Sequence, residues 1–376
     1  MIYADNAATT RMDPEAFEVM KPFLLENYAN PSQPYFFAKK AKLSLRAARR
    51  AIAKCIGAEP EEIYFTSGGT ESDNWAVKSF ASPSDVKRIL TSAIEHHAIL
   101  NACKAADAET VIMQVDSEGI VTSEELEKAF DTGDRPIPSC LSKLVSVMLV
   151  NNEIGTIEPI KELAAAAHRH AAYFHTDAVQ AVGHIPIDVK NLGVDMLSAS
   201  AHKFNGPKGI GFLYIKNGTH IAPFADGGAQ ERQMRAGTEN VAAIAAMAKA
   251  LENNCKHMEE NAAKLRGMEN VLLAILHEAG IPFIRNGSEQ RVPGNVSLSI
   301  KNAGGEMLLH RLDLMGICVS TGSACDSVNT QLSHVIKAIG VPKEYAEGTI
   351  RISFGKDNTE EEAAAIAKAI IKIVGS

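Results

Sequence analysis

Alternation is the feature that most constrains this chain. Through its first two thirds, short apolar runs at 62–66, 88–91, 144–150, 173–176, 196–199 and 210–215 alternate with stretches of helical period such as 161–170. A parallel strand needs a long crossover to return to the same edge, so runs spaced by helices predict a mostly parallel sheet buried on both faces. Around Thr238 the pattern changes. Helical period is sustained from 239 to about 278, with a glycine break near 280, and predicts one long helix bridging two domains. Beyond it "NVSLSI", "ICVSTG" and "TIRISFG" read as short strands, and "TEEEAAAIAKAIIKIV" as a closing helix with Thr359 and Glu362 at capping-box spacing. Asp13 and Pro14 have helix-start chemistry. The expected fold is α/β: a large domain with a mostly parallel sheet covered by helices, and a smaller α+β domain in the C-terminal third.

In such a sheet ligands collect beyond the carboxyl ends of the strands, so the residues that follow each run are the candidates for chemistry. "FTSGGTES" offers Gly69 and Thr70, backbone N–H groups and a hydroxyl suited to an anion at a helix start. "SAIEHHAIL" offers His96 and His97; "VNNEIGT" offers Asn151, Asn152 and Glu153; "HTDAVQAVG" offers Asp177 and Gln180; "SASAHK" offers Lys203. Taken singly, each has a bland explanation: a turn, a helix cap, a surface imidazole. Jointly, five successive strand ends supply an anion nest, an imidazole, an amide, a carboxylate and an amine. Pyridoxal 5'-phosphate needs that set: donors for its phosphate, a planar group against its ring, a carboxylate to keep its pyridine nitrogen protonated, and a lysine for its aldehyde. Lys208 is the rival lysine. It follows Pro207 in a turn, where solvent exposure is expected, so Lys203 is preferred.

Composition excludes some alternatives. Over 376 residues the net charge is −7, which argues against a general binder of nucleic acid or anionic membrane, and no apolar run reaches membrane-spanning length. "MIYADNAATT" lacks a basic segment followed by an apolar one, so a cytoplasmic setting is expected. The six cysteines form no C-x-x-C pair and suit neither a zinc site nor a disulfide scaffold; no metal is expected. Cys325 stands apart from the other five. It lies in "STGSACDSVNTQLSH", a small and polar stretch without strand or helix period, which reads as a loop. Cys318 has apolar neighbours, Cys55 and Cys103 read as helix residues, and Cys140 and Cys255 have no supporting pattern. Cys325 is therefore the best nucleophile candidate.

The chain resembles the cysteine desulfurases (NifS/IscS-like) of the class V aminotransferase group, enzymes of fold type I that use pyridoxal phosphate, which implies a large domain over 15–255 with a mostly parallel seven-stranded sheet and a smaller α+β domain made of 1–14 and 256–376. The resemblance runs almost end to end, through "YADNAATT", "FTSGGTESDN", "EHHAIL", "VNNEIGTI", "HTDAVQAVG", "SASAHKFNGPKGIG", "MRAGTENV", "TGSACDS" and "RISFG" in family order. It implies that Lys203 bonds the cofactor, His96 stacks on its ring, Asp177 pairs with its pyridine nitrogen, and Gln180 contacts its ring hydroxyl. Asn152 lies beside ring and substrate; Gly69, Thr70, Ser200 and His202 hold the phosphate. Thr238 reaches the phosphate of the partner subunit, which implies a homodimer, and Arg351 clamps the substrate carboxylate, where a bidentate guanidinium fits. The implied reaction converts L-cysteine to L-alanine and leaves its sulfur as a persulfide on Cys325, with His96 as a proton shuttle. The setting of Cys325 resembles the long-loop desulfurases, which pass sulfur to acceptor or scaffold proteins for iron–sulfur clusters or tRNA thiolation. Another class V activity (aminotransferase, β-lyase or selenocysteine lyase) and a non-catalytic scaffold are the alternatives. One departure is local: the family's N-P-S-S-x-H-x-x-G is "NPSQPYFFA" here, with Gln33, Tyr35 and Ala38 in the Ser, His and Gly positions.

Overall fold

The computed structural model describes residues 1–79, 87–132, 142–322 and 332–375. A short strand, β1 (Ile2–Tyr3), precedes two helices, α1 (Pro14–Leu25) and α2 (Lys39–Ile56). The start of α1 follows the expected chemistry: the Asp13 carboxylate accepts from the N–H groups of Glu15 and Ala16, with Pro14 as the first helical residue. The central sheet contains β2 (Ile63–Thr66), β3 (Lys87–Ser92), β4 (Glu109–Met113), β5 (Ser142–Ser146), β6 (Tyr173–Asp177), β7 (Met196–Ser200) and β8 (Gly211–Ile215). Between them run α3 (Gly69–Lys78), α4 (His97–Ala105), α5 (Ser123–Asp131), α6 (Ile160–Arg169) and the single turn α7 (Val189–Leu192). Strand order is β2-β8-β7-β6-β5-β3-β4. The pairings among β7, β6, β5, β3 and β4 are parallel, and those of β8 with β7 and β2 are antiparallel.

The sheet is thus mostly parallel and seven-stranded, as expected, with two differences in detail. β4, the edge strand "ETVIM", escapes the apolar-run reading because its residues are largely half-exposed. β5 ends at Ser146, short of the expected 150: the following residues leave the ladder, and Val150 makes only an isolated bridge to Ile157.

The sheet is buried on both faces. On one, Phe65, Leu90, Val145, Phe174 and Phe212 pack with α2, α6 and the helix α8 (Val241–Lys256). On the other, Trp75, Ile89, Leu144, Met196 and Leu213 form a second cluster under α3 and α4. The expected single helix over 239–278 is instead two, α8 and α9 (Met258–Glu278), broken at His257, whose backbone (φ −106, ψ 16) leaves the helical region. The break is where packing changes: α8 buries its alanine-rich face on the large core, while Leu265, Met268, Leu272 and Leu276 of α9 belong to a separate core.

That smaller core is built on β9 (Phe283–Arg285), β10 (Asn295–Ile300) and β12 (Thr349–Ser353), an antiparallel sheet of order β12-β10-β9, with α10 (Gly305–Leu314) and α13 (Glu360–Val374). Strand β11 (Ile317–Cys318) pairs with β1, which fastens the N-terminus to this domain. Helices α11 (His334–Ala338) and α12 (Lys343–Ala346) complete it, and the capping box of Thr359 and Glu362 opens α13 as expected.

One close approach sets the head of α3 against the sheet. A Cβ at Gly211, the first residue of β8, would lie 2.4 Å from the Ala199 carbonyl oxygen and 2.8 Å from Gly68 Cα. Gly68 itself has φ +150, which no other residue adopts easily. Replacing Gly211 by alanine therefore has to spread backbone from backbone. Gly211→Ala is expected to cost about 1–3 kcal/mol, the usual penalty for overpacking. It is read as a lower urea midpoint with an unchanged slope; an unshifted midpoint refutes this packing argument.

Candidate active site

The carboxyl ends of β3, β5, β6 and β7 open on one cavity of about 480 Å³. Its walls include Gly69, Thr70, His96, Asn152, Asp177, Gln180, Ser200, His202, Lys203 and Arg351, ten of the twelve residues expected of the site. The two exceptions are Thr238, which is exposed and does not line the cavity, and Cys325, which lies outside the described residues. Lys208 stands exposed at the rim.

Lys203 is placed by the turn that ends β7. Its ammonium donates to two main-chain carbonyls of the N-terminal segment, Ala7 at 2.6 Å and Ala8 at 2.9 Å. That segment is zipped onto the lysine turn. Thr10 donates to the His202 carbonyl through both N–H and hydroxyl, the Asn205 N–H donates to the Thr10 hydroxyl, and the Asn205 side-chain amide donates to the Arg11 carbonyl. From below, His184 Nε2 donates to the Lys203 carbonyl at 2.9 Å; burial keeps that ring neutral by pushing its pKa down. The amine therefore sits against two adjacent carbonyls of the N-terminal segment.

Asp177 closes β6. Its Oδ1 accepts from the Val179 N–H at 2.9 Å, and burial lifts its pKa to about 6, against a smaller opposing pull from Lys203. Beneath it lies a polar network that sequence reasoning passed over. Asp73 of α3 lines the same cavity, has a buried Oδ1 without a hydrogen-bond partner, and is pushed well above the carboxylate range by burial and by Asp177. His175 lies 3.8 Å from that atom, between the hydroxyls of Ser146 and Ser198 at 2.9 Å each, and burial lowers it to about 3, so it is a neutral ring. Asp73 was quoted within "FTSGGTESDN"; its one sequence signal is its place one helical turn after Gly69, on the face that turns back toward the strand ends.

His96 caps α4: its Nδ1 accepts from the Ala98 N–H at 3.1 Å, which leaves Nε2 to carry the proton of the neutral ring. His202 Nδ1 lies 3.2 Å from the Thr9 hydroxyl, and burial lowers this ring to about 4, with Lys203 and Lys208 adding to the effect. His202 is thus a neutral donor at neutral pH. Gly69 and Thr70 are the first residues of α3, whose free N–H groups and positive dipole end open on the cavity. A Cβ at Gly69 would strike Val179 at 2.6 Å, so the close approach of helix and strand end needs glycine there.

Arg351 is buried in β12 and reaches across the domain junction. It donates to the Asn152 carbonyl at 2.9 Å and pairs with Asp5 at 2.8 Å, while its Nε has no partner. Asn151, offered beside Asn152 as a site candidate, shapes the turn: its oxygen accepts from the N–H groups of Glu153 and Ile154. Gln180 donates to the Ala7 carbonyl, the same oxygen that Lys203 uses. The atypical segment 30–38 is mostly exposed and contributes nothing to the cavity wall.

The described flanks of the stretch that holds Cys325 are anchored on Arg351, which lines this cavity, and on Glu153 and Glu95, sequence neighbours of the lining residues Asn152 and His96. Ser320 exchanges backbone hydrogen bonds with Arg351. On the far side the Ser333 hydroxyl donates to Glu153 at 2.6 Å, and His334 Nε2 donates to the Glu95 carbonyl at 3.0 Å, with its ring against His97.

The residue before His96 is also unusual. Glu95 is fully buried: its Oε1 accepts from the Ser92 hydroxyl and the Met148 N–H, its Oε2 has no partner, and burial pushes its pKa up to about 8. An acid whose pKa is raised on folding contributes stability below its unfolded pKa and loses it as pH rises toward the folded value. Folding stability is therefore expected to fall between about pH 4.5 and pH 8, and Glu95→Gln, which keeps the shape, should flatten that fall. Thermal unfolding of both proteins across this range checks it; equal slopes rule out Glu95 as the source.

Residues 2–366 match the family model described as aminotransferase class-V. The chain is 45% identical over 378 residues to a cysteine desulfurase IscS of Methanosarcina thermophila, an alignment covering 99% of this chain and 92% of that protein. A solved structure described as a NifS-like protein superposes with a TM-score of 0.90 at 38% identity, covering 100% of this chain and 99% of the other. Another, described as SspA in complex with cysteine, gives a TM-score of 0.82 at 31% identity, covering 94% and 99%.

Proposed function

The chain belongs to the class V aminotransferase family and, within it, to the cysteine desulfurases, and from that premise we propose the residue roles and the sulfur path that follow. L-Cysteine is the substrate, pyridoxal 5'-phosphate the cofactor, and Cys325 the thiol that receives the sulfur.

The donor set of the cavity fits the cofactor. The α3 N-terminus with Thr70, Ser200 and the neutral His202 offers N–H and O–H donors for a phosphate at one end. At the other, the Lys203 amine is held by the Ala7 and Ala8 carbonyls. Asp177 is a buried carboxylate with one backbone donor and capacity for a ring N–H. When bound, pyridoxal phosphate supplies an aldehyde and an electron-withdrawing ring that make the α-proton of the substrate acidic and its Cβ–Sγ bond labile. His96, fixed by its cap bond, presents a ring face to that group. Thr238 is the expected contact from a partner subunit: it stands exposed in a segment held by the Arg235–Glu71 and Arg49–Glu231 ion pairs at 2.8 and 2.6 Å. Phe36 (85%), Tyr28 (69%) and Leu25 (67%) are exposed apolar side chains that a homodimer would have available to cover.

The chain's own residues divide the work. Arg351 orients the substrate carboxylate, with its unpartnered Nε and the Asp5-paired edge available for exchange of partners. The Lys203 amine, once freed, takes the α-proton. The Cys325 thiolate attacks the substrate sulfur: a sulfur–sulfur bond forms, the Cβ–Sγ bond breaks, and Cβ takes a proton to give L-alanine. His96, through its Nε2, hands protons between the bulk and the reacting atoms. The persulfide is then passed to an acceptor or scaffold protein for iron–sulfur cluster assembly or tRNA thiolation. The anchoring of Ser320 to Arg351 in the cavity wall, and of Ser333 to Glu153 next to the lining residue Asn152, is the observation that supports the assignment of Cys325.

Two variants separate the roles. Lys203→Ala should lower alanine formation by about 10²–10⁴-fold, the range for loss of a general base, and abolish borohydride-trapped cofactor on this residue. Cys325→Ser should keep the cofactor absorbance and lose the 32-Da persulfide adduct on its peptide, roughly the mass of one sulfur. Persulfide formation elsewhere in the Cys325→Ser protein would overturn the sulfur path.

A further inference from the structure

Away from the cavity, two thiols that lie 200 positions apart in sequence meet across the α2–α8 contact. Cys55 is the penultimate residue of α2 and Cys255 the penultimate residue of α8. Both are half-buried against the large core, and both line the same surface cavity of about 560 Å³. Each thiol is the other's strongest electrostatic neighbour: the pair shifts together, Cys55 upward and Cys255 downward. The other free thiols among the described residues have no such neighbour; Cys103 is buried and pushed up to about 12 by burial.

We propose that Cys55 and Cys255 form a thiol–disulfide exchange site that is oxidised by a small amino-acid disulfide of the cystine class and then links α2 to the end of α8. The cavity wall suits such a ligand. Pro186, Ile187 and Met258 give apolar contact for the sulfur and methylene groups, while Glu259, Glu260 and Lys256 offer both signs of charge to its ammonium and carboxylate groups. The pair also has an internal order of attack. In the proposed order Cys255, whose pKa the coupling to Cys55 lowers, attacks the ligand and Cys55 resolves.

The exchange balances without a further reagent. Cys255 thiolate attacks one sulfur of the small disulfide; a mixed disulfide forms and one small thiolate leaves. Cys55 then loses its proton and attacks Sγ of Cys255, and the second small thiolate leaves. The protein pair loses two electrons and two protons, which the small disulfide gains. With cystine, the released molecules are two L-cysteines, the substrate of the proposed reaction. The link falls two residues before the His257 break at which the chain enters the smaller domain, so oxidation would fasten that junction to α2.

The test uses the full-length, cofactor-loaded protein incubated with cystine, quenched in acid, alkylated with N-ethylmaleimide and mapped by mass spectrometry. The expected result is a linked Cys55–Cys255 peptide pair, two hydrogens lighter than the sum, with the Cys103 peptide unchanged. Full alkylation of both thiols after incubation overturns the proposal. So does a lasting cysteinyl adduct on Cys255 beside an alkylated Cys55. Cys255→Ser should leave Cys55 alkylated; a cysteinyl adduct on Cys55 in that variant overturns the order of attack. Amide exchange over 254–260 should slow several-fold in the oxidised form, and unchanged exchange overturns the effect on the junction. The linkage is read as a mass on its own peptide, so it stands or falls separately from the role of Cys325.

Discussion

Parallel pairing is the constraint from which the rest follows. β3, β5, β6 and β7 run the same way in one sheet, so their carboxyl ends lie on one edge. What the sequence spreads over more than a hundred positions, from His96 to Lys203, the ladder gathers around one cavity. The ladder groups are also saturated within the sheet, so the polar atoms left to face a ligand are those just past each strand. The antiparallel return of β8 against β7 then brings Gly211 onto the head of α3 and sets the height of its first amides over the cavity.

This geometry explains what was legible in the sequence. A strand end announces itself through a change from an apolar run to polar residues, so Lys203, Asp177, His96 and Asn152 were readable before any coordinates. Edge strand β4 was not, because an edge strand lacks the second buried face that makes a run apolar. The break at His257 was invisible for a related reason. Both sides of it are amphipathic helix, and only the core they face differs. The second layer of the site was equally hidden. Asp73 and His175 sit inside segments whose neighbours had obvious candidates, and their importance comes from burial that only the fold supplies.

Arg351 shows how a residue expected of the site can hold more than one task. A clamp on the substrate carboxylate was expected, and the guanidinium does line the cavity. It is also engaged with Asp5 and with the Asn152 carbonyl, and so ties the N-terminal segment, the turn after β5 and the smaller domain together at a single buried point. A buried arginine with one carboxylate partner is costly to leave unpaired. A carboxylate that arrives beside it meets a charge already oriented, and exchange of Asp5 for the newcomer conserves the ion pair. The same segment that carries Asp5 also supplies the Ala7 and Ala8 carbonyls to Lys203. In the proposed roles, substrate anchoring and release of the amine would act on one short stretch of chain.

The buried acids around the cavity obey one physical rule. Glu95, Asp73 and Asp177 are pushed upward chiefly by loss of water, and Asp73 further by its neighbour Asp177. Placing several ionised carboxylates together in so dry a space is unfavourable, so protons are retained on the members without a cation beside them. Lys203 opposes the upward shift at Asp177 alone, which selects that carboxylate as the charged one. A protonated Asp73 next to it adds no second negative charge, and a neutral His175 adds no positive one. The network beneath the cavity thus supports a single anion at the end of β6, the charge that the role proposed for Asp177 would require.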